Sequence, residues 1–158
     1  MNTVTQTESP VKIEYNRSTR RYEWIDPDSG EMFTAPSGAK NKANLFQAVI
    51  GMLDPDLYAS ATRMIENNPQ LERVVWKAVE LVTNNAVEVF AVPNNGVVAM
   101  VDSSDGYGRY AITMHTHGID CQCEHYQSMA APLTNKGHRI CKHIAAKFLW
   151  QYTREDRF

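Results

Sequence analysis

The chain has 158 residues, 43% of them hydrophobic and 22% charged, with a formal net charge of −2. That length suits one domain, or one domain with a small appended module, and can bury a sizeable core without a metal as its sole support. The near-neutral balance excludes a chain that is basic throughout, as many nucleic-acid binders are, and no apolar run approaches the ~20 residues that span a bilayer.

Residues 1–10, MNTVTQTESP, read as a flexible polar tail without a secretory h-region, so an intracellular, reducing, cytoplasmic setting is expected. Residues 11–36 then predict a short β-meander. Val11, Ile13 and Tyr15 alternate, as do Tyr22 and Trp24, and Asp26-Pro-Asp-Ser-Gly supplies turn chemistry before Met32.

Three helices are predicted next. Leu45, Phe46, Val49, Ile50 and Leu53 recur at helical spacing in the first. Asp54 is the expected N-cap of the second, with Pro55 at its first position and a stripe of Leu57, Ala61, Met64 and Ile65. Asn68 and Pro69 repeat the device for the third, whose stripe is Leu71, Val74, Val75, Ala78 and Val82, ended by Asn84 and Asn85. A helix-turn-helix is a poor fit, because Arg73 and Lys77 of the third helix are offset by Glu72 and Glu80.

From Ala86 the period switches to two. VEVFAV and VVAMV form a hairpin around Asn95-Gly96, and a turn containing Asp102 and Asp105 leads to the strand RYAITMH. His115 and His117, two apart, are expected to share a strand face, as hydrogen-bonded or solvent-facing residues rather than as a second metal site. The last helix runs from Cys141 to Arg154, with Ile144, Phe148 and Tyr152 predicted to face the core and Trp150 to face away.

All three cysteines fall within residues 121–141, two as Cys121-Gln-Cys123 and one in Cys141-Lys-His143. Side chains two apart on an extended chain point to one side, so Cys121 and Cys123 at a strand end can reach one ion. Cys141 and His143 can converge only where a helix begins, where unpaired N–H groups also favour a thiolate. Three thiolates and one imidazole form a closed tetrahedral set for Zn²⁺, and a closed set leaves no position for catalytic water. A Cys141/His143 nucleophilic pair would leave the other two cysteines unexplained. An iron–sulfur cluster with one histidine ligand is a further rival. The seventeen residues from Glu124 to Ile140 are expected to form a loop whose ends the metal pins; His125, in that loop, lies close enough to Cys123 to support the ligands, and His138 sits near its far end.

The pattern C-x-C-x17-C-x-H, after a β-meander and before an amphipathic helix, resembles the SWIM zinc finger over about Val87 to Tyr152. All four ligand positions of that family's signature match: Cys121, Cys123, Cys141 and His143. The resemblance implies a ββα arrangement around one structural Zn²⁺. It also implies DNA binding or protein contact, with recombinases, helicase-like ATPases and transposases as typical partners.

The expected fold is therefore α+β: an N-terminal β-meander and three helices over residues 11–85, then a β-meander leading into a SWIM-like ββα zinc module over residues 86–158. The charge is uneven: residues 54–120 carry four basic and nine acidic side chains, whereas residues 121–158 carry six basic and three acidic. The candidate nucleic-acid contacts are Lys136, Arg139, Lys142, Lys147, Trp150 and Arg154, with Arg157 beyond them and a nucleoid or nuclear location if DNA is bound. The alternative is a protein-interaction adaptor in which the zinc is purely structural. No P-loop and no clustered carboxylates mark an enzyme, a small-molecule substrate is not expected, and neither is a membrane partner.

Overall fold

The structure is a computed structural model that describes residues 11–103 and 108–154. The predicted tail at 1–10, the turn residue Asp105 and the cation Arg157 lie outside the described residues. Among those described, the chain is a mixed α/β protein with two antiparallel sheets, five α-helices and no closed barrel. It divides into two compact units, and the division falls between Tyr58 and Ala59.

The first unit opens with β1 (Glu14–Asn16), β2 (Arg21–Ile25) and β3 (Met32–Pro36), paired in the order β1-β2-β3. Register places Tyr15 opposite Tyr22, Tyr22 opposite Ala35 and Trp24 opposite Phe33, so these side chains share one face. Helix α1 (Ala39–Leu53) packs on β3, and its Lys42 Nζ lies 5.8 Å from the centre of the Tyr22 ring. Trp24, 2% exposed, is the anchor of this small core, together with Leu45, Val49 and Ile50 of α1.

Helix α2 (Pro55–Asn67) begins as its sequence dictates. The Leu57 amide donates to Asp54 Oδ1 at 3.2 Å, and Pro55 takes the first position, where a missing N–H costs nothing. A single 3₁₀ turn (Pro69–Leu71) then feeds α3 (Glu72–Thr83). Asn68 does not cap it: its Oδ1 accepts instead from the Asn135 amide, far along the chain. The predicted stripe of α3 is buried throughout, and Val79 and Leu81 join it. Asn85 supplies the left-handed stop, with φ of 56°.

The second sheet is a four-stranded meander: β4 (Val87–Asn94), β5 (Val97–Asp102), β6 (Arg109–His115) and β7 (Gly118–Cys121). Asn95 and Gly96 both take positive φ, as a two-residue type I′ hairpin requires. Strand β7 is too short to show alternation, and the sequence does not predict it. His117 is not on a strand: β6 ends at His115, and the His117 amide turns back to donate to His115 Nδ1 at 3.3 Å.

Helix α4 is a single turn (Glu124–Gln127), and α5 (Lys142–Arg154) closes the unit. Helix α5 packs against all four strands on one side and against α3 on another. Its buried residues include Ile144, Ala145, Ala146, Leu149 and Thr153. That rotation corrects the predicted core face: Phe148 is half-buried and Tyr152 is 66% exposed, because the small side chains of Ala145 and Ala146 are what the close approach requires. Among the described residues, no helix is long and apolar enough to cross a membrane.

Candidate metal centre

The end of β7 places Cys121, and the start of α4 places Cys123 two residues on. The Cys123 backbone is still extended (φ −67°, ψ 152°), and its sulfur accepts the Tyr126 amide at 3.4 Å. Cys141 immediately precedes α5, so its sulfur accepts the Ile144 amide at 3.5 Å while its carbonyl accepts from Ala145. His143 follows in the first turn. Two of the three sulfurs thus receive a helix-start N–H, which lowers the cost of the thiolate form.

The four side chains converge. Their ligand atoms all lie within 4.8 Å of one another, and each residue is at most 3% exposed. His143 Nδ1 is 3.8 Å from Cys121 Sγ and 4.0 Å from Cys141 Sγ. A tetrahedral ion with Zn–S of ~2.3 Å and Zn–N of ~2.0 Å implies S···N near 3.5 Å and S···S near 3.8 Å, so the two His143 contacts need a few tenths of an ångström of contraction and no pair more than about 1 Å. The four residues are positioned to hold one metal ion. None of the three cysteines is in a disulfide.

The chemistry of the donor set says the same. Three thiols in contact cannot all ionise without a cation between them. Cys121 is pushed up by hydrogen bonding to Cys123 and Cys141 and by burial, whereas Cys123 is held down by the hydrogen bonds it accepts from those two. A divalent cation removes that conflict by making all three thiolates favourable at once. His143 Nε2 is buried with no hydrogen-bond partner, and the ring is held by packing at 4.7 Å from the Tyr110 ring.

Residues 124–140, predicted as a plain loop, carry structure of their own. Gln127 Nε2 donates to the Cys121 carbonyl at 2.7 Å, and the Tyr126 hydroxyl lies 2.8 Å from the Ile119 carbonyl and 2.9 Å from Asp120 Oδ1. Burial and the Asp120 carboxylate push Tyr126 up to about 12. Leu133 bridges Arg139 in antiparallel fashion, closing a tight turn. At its tip Asn135 forms a latch: its amide donates to Asn68 Oδ1 at 2.9 Å, its Nδ2 to the Asn67 carbonyl at 2.6 Å, and its Oδ1 accepts from Gln70 Nε2 at 3.0 Å. No local signal announces partners more than sixty residues away.

The six candidate nucleic-acid contacts differ in exposure and in their partners. Lys136 is exposed, and Lys142, Trp150 and Arg154 are half-buried. Arg139 Nη1 donates to the Met129 and Ala131 carbonyls and so holds the loop together. Lys147 is 4% exposed, with Nζ 4.3 Å from the centre of the Phe148 ring. His125 lines a depression beside Cys123 and His143, while His115 pairs with Asp120 at 2.6 Å.

A groove that the sequence does not announce lies alongside. Its volume is about 810 Å³, and it is bounded by the β6–β7 turn, residues 126–140, the 3₁₀ turn at Leu71, and parts of α2 and α5. Met114, Met129, Leu133 and Tyr152, between 44% and 69% exposed, line it. No family model, curated protein or solved structure matches the chain, so the likeness to the SWIM finger rests on the four ligand positions and the elements that carry them.

Proposed function

We propose that this chain is a non-catalytic binding protein in which one structural Zn²⁺, held by Cys121, Cys123, Cys141 and His143, builds a docking groove for another protein. The observation that carries this reading is the groove wall. Met129 and Leu133 belong to the segment whose two ends the ligands pin, so the ion fixes an apolar surface that water alone would not keep in place. A ligand shell filled by protein atoms is a structural site, which is why no reaction is assigned to it.

The lining also specifies the occupant. His117, His138 and Arg139 stand along the groove, whereas its acid, Asp120, is already engaged by His115 and Tyr126. An apolar peptide segment flanked by acidic residues fits that surface. The competing reading is a DNA-binding, recombination or transposition accessory factor that uses residues 136–154. It is weaker because Lys147 is almost wholly buried.

The test is a peptide array of apolar segments flanked by Glu or by Lys, probed with zinc-loaded protein. Binding of the Glu-flanked set, lost with Met129→Asp or after chelation, is expected. Indifference to Met129→Asp, with DNA binding that disappears in Lys136→Gln/Lys142→Gln, would give the function to the basic segment instead.

A further inference from the structure

The first unit takes no part in the metal site, and most of its charges gather at two ends, with Glu14 and Glu23 between them and Glu23 accepting from Asn16 Nδ2 at 3.0 Å. Register puts Asn16, Arg21 and Pro36 in the last row at one end of the three-stranded sheet. The β1–β2 turn beyond that row carries Arg17 and Arg20, and α1, which starts three residues after Pro36, brings Lys40 and Lys42 to the same end. All five cations are exposed, and none has an ion-pair partner among the described residues. The unit's sixth cation, Lys12, pairs with Glu14. The acids Asp26, Asp28 and Glu31 gather in the turn at the opposite end of the sheet.

Two further features mark that basic end. Arg20 sits at φ 57°, in the left-handed region that Gly or Asn ordinarily fills, so a turn position with a conformational cost presents a cation. Tyr15, on the edge strand β1, is 46% exposed and meets Tyr22 edge-on at 5.2 Å, leaving an aromatic surface beside the charges. Helix α1 adds to the positive field, since its first turn holds no acidic residue and no side chain caps it.

We infer that this end of the first unit binds single-stranded nucleic acid, with Arg17, Arg20, Lys40 and Lys42 tracking phosphates and Tyr15 stacking on a base; Arg21, on the opposite sheet face, donates to Thr34 Oγ1 instead. Cations alone fit any polyanion. The aromatic beside them selects a strand whose bases are unpaired, because a duplex keeps its base faces inside the stack. The chain then joins two ligands: nucleic acid at its first unit and, on the reading above, a protein at its second.

The experiment is fluorescence anisotropy of a labelled oligothymidylate against the full-length, zinc-loaded protein over a salt series. Arg17→Gln/Arg20→Asn/Lys40→Gln should weaken binding more than about tenfold and make the log–log salt slope shallower by about 2, at ~0.7 per lost phosphate contact. Tyr15→Ala should cost about tenfold for the single strand and nothing for a duplex of matched length. Lys136→Gln/Lys142→Gln should leave the titration unchanged. Circular dichroism establishes that each variant is folded. Binding untouched by the triple variant overturns the inference, and so does binding that instead falls with Lys136→Gln/Lys142→Gln. Displacement by polyglutamate as effective as by unlabelled oligonucleotide, with no effect of Tyr15→Ala, also overturns it and assigns the surface to an acidic polypeptide. Failure of the peptide-array test leaves these outcomes unaffected, because the variants lie in different units.

Discussion

In the first unit a three-stranded sheet lays an aromatic face under one helix, and the burial of Trp24, Leu45, Val49 and Ile50 holds the arrangement. In the second a four-stranded sheet is covered by α5, which α3 backs in turn, yet the segment between Cys123 and Cys141 contributes little apolar burial of its own beyond Ala131 and Ile140. One unit stabilises a short meander with side-chain packing. The other hands an irregular segment to four ligands. The difference marks where a metal would contribute most: not where secondary structure is regular, but where seventeen residues must be held against a core they do not fill.

The largest effect expected from this contrast comes from the metal. Cys141→Ser, or chelation of the native chain, removes an interaction on the order of 10–16 kcal/mol in small zinc modules. It should release one ion per chain, measured by a metal-binding dye, and melt α5 off the second sheet. Trp24 fluorescence, read with Trp76 and Trp150 replaced by Phe, should stay native; its collapse would mean that the first unit depends on the ion.

Trp24→Ala is the converse. Loss of this buried side chain should cost about 3–5 kcal/mol and unfold the first unit at lower denaturant, while Co²⁺ substituted at the second retains its thiolate charge-transfer absorption. Disappearance of that band would break the comparison from the other side.

The smallest effect is expected at the latch. Asn135→Ala removes the two side-chain hydrogen bonds of a mostly exposed position, worth about 1–2 kcal/mol together, and leaves the backbone bond to Asn68 in place. Zinc stoichiometry should be unchanged and amide exchange at residues 133–138 faster. An unchanged exchange rate would show that the ligands alone hold the segment.

What the sequence discloses here is whatever local spacing controls. Cys-x-Cys and Cys-x-His each bind at an element boundary, so the strand end and the helix start can be placed from the ligands themselves. Asp54-Pro55 and Asn95-Gly96 are likewise complete within a few residues. The rest depends on distant partners. Asn68 has the chemistry of a cap, but Asn135 takes its oxygen, because a hydrogen bond that ties down a loop competes with one that ends a helix. Strand β7 needs the β6 edge before four residues opening on Gly118 can be extended. Tyr152 fits the helical stripe by period, yet Ala145 and Ala146 determine which face of α5 meets the sheet and α3. The groove has no sequence signal because its lining comes from segments that only the tertiary fold brings together.

The unpartnered Nε2 of His143 bears on how long an ion stays rather than how tightly it binds. A metal-bound imidazole is usually steadied by an acceptor on its far nitrogen, which fixes the ring and makes it a better donor. Here only the Tyr110 ring and the surrounding packing steady it. The three sulfurs are anchored differently, two by amide N–H groups and the third at the end of a paired strand. Exchange of an ion held there is therefore expected to begin at the imidazole, with the thiolates keeping hold until a replacement ligand arrives.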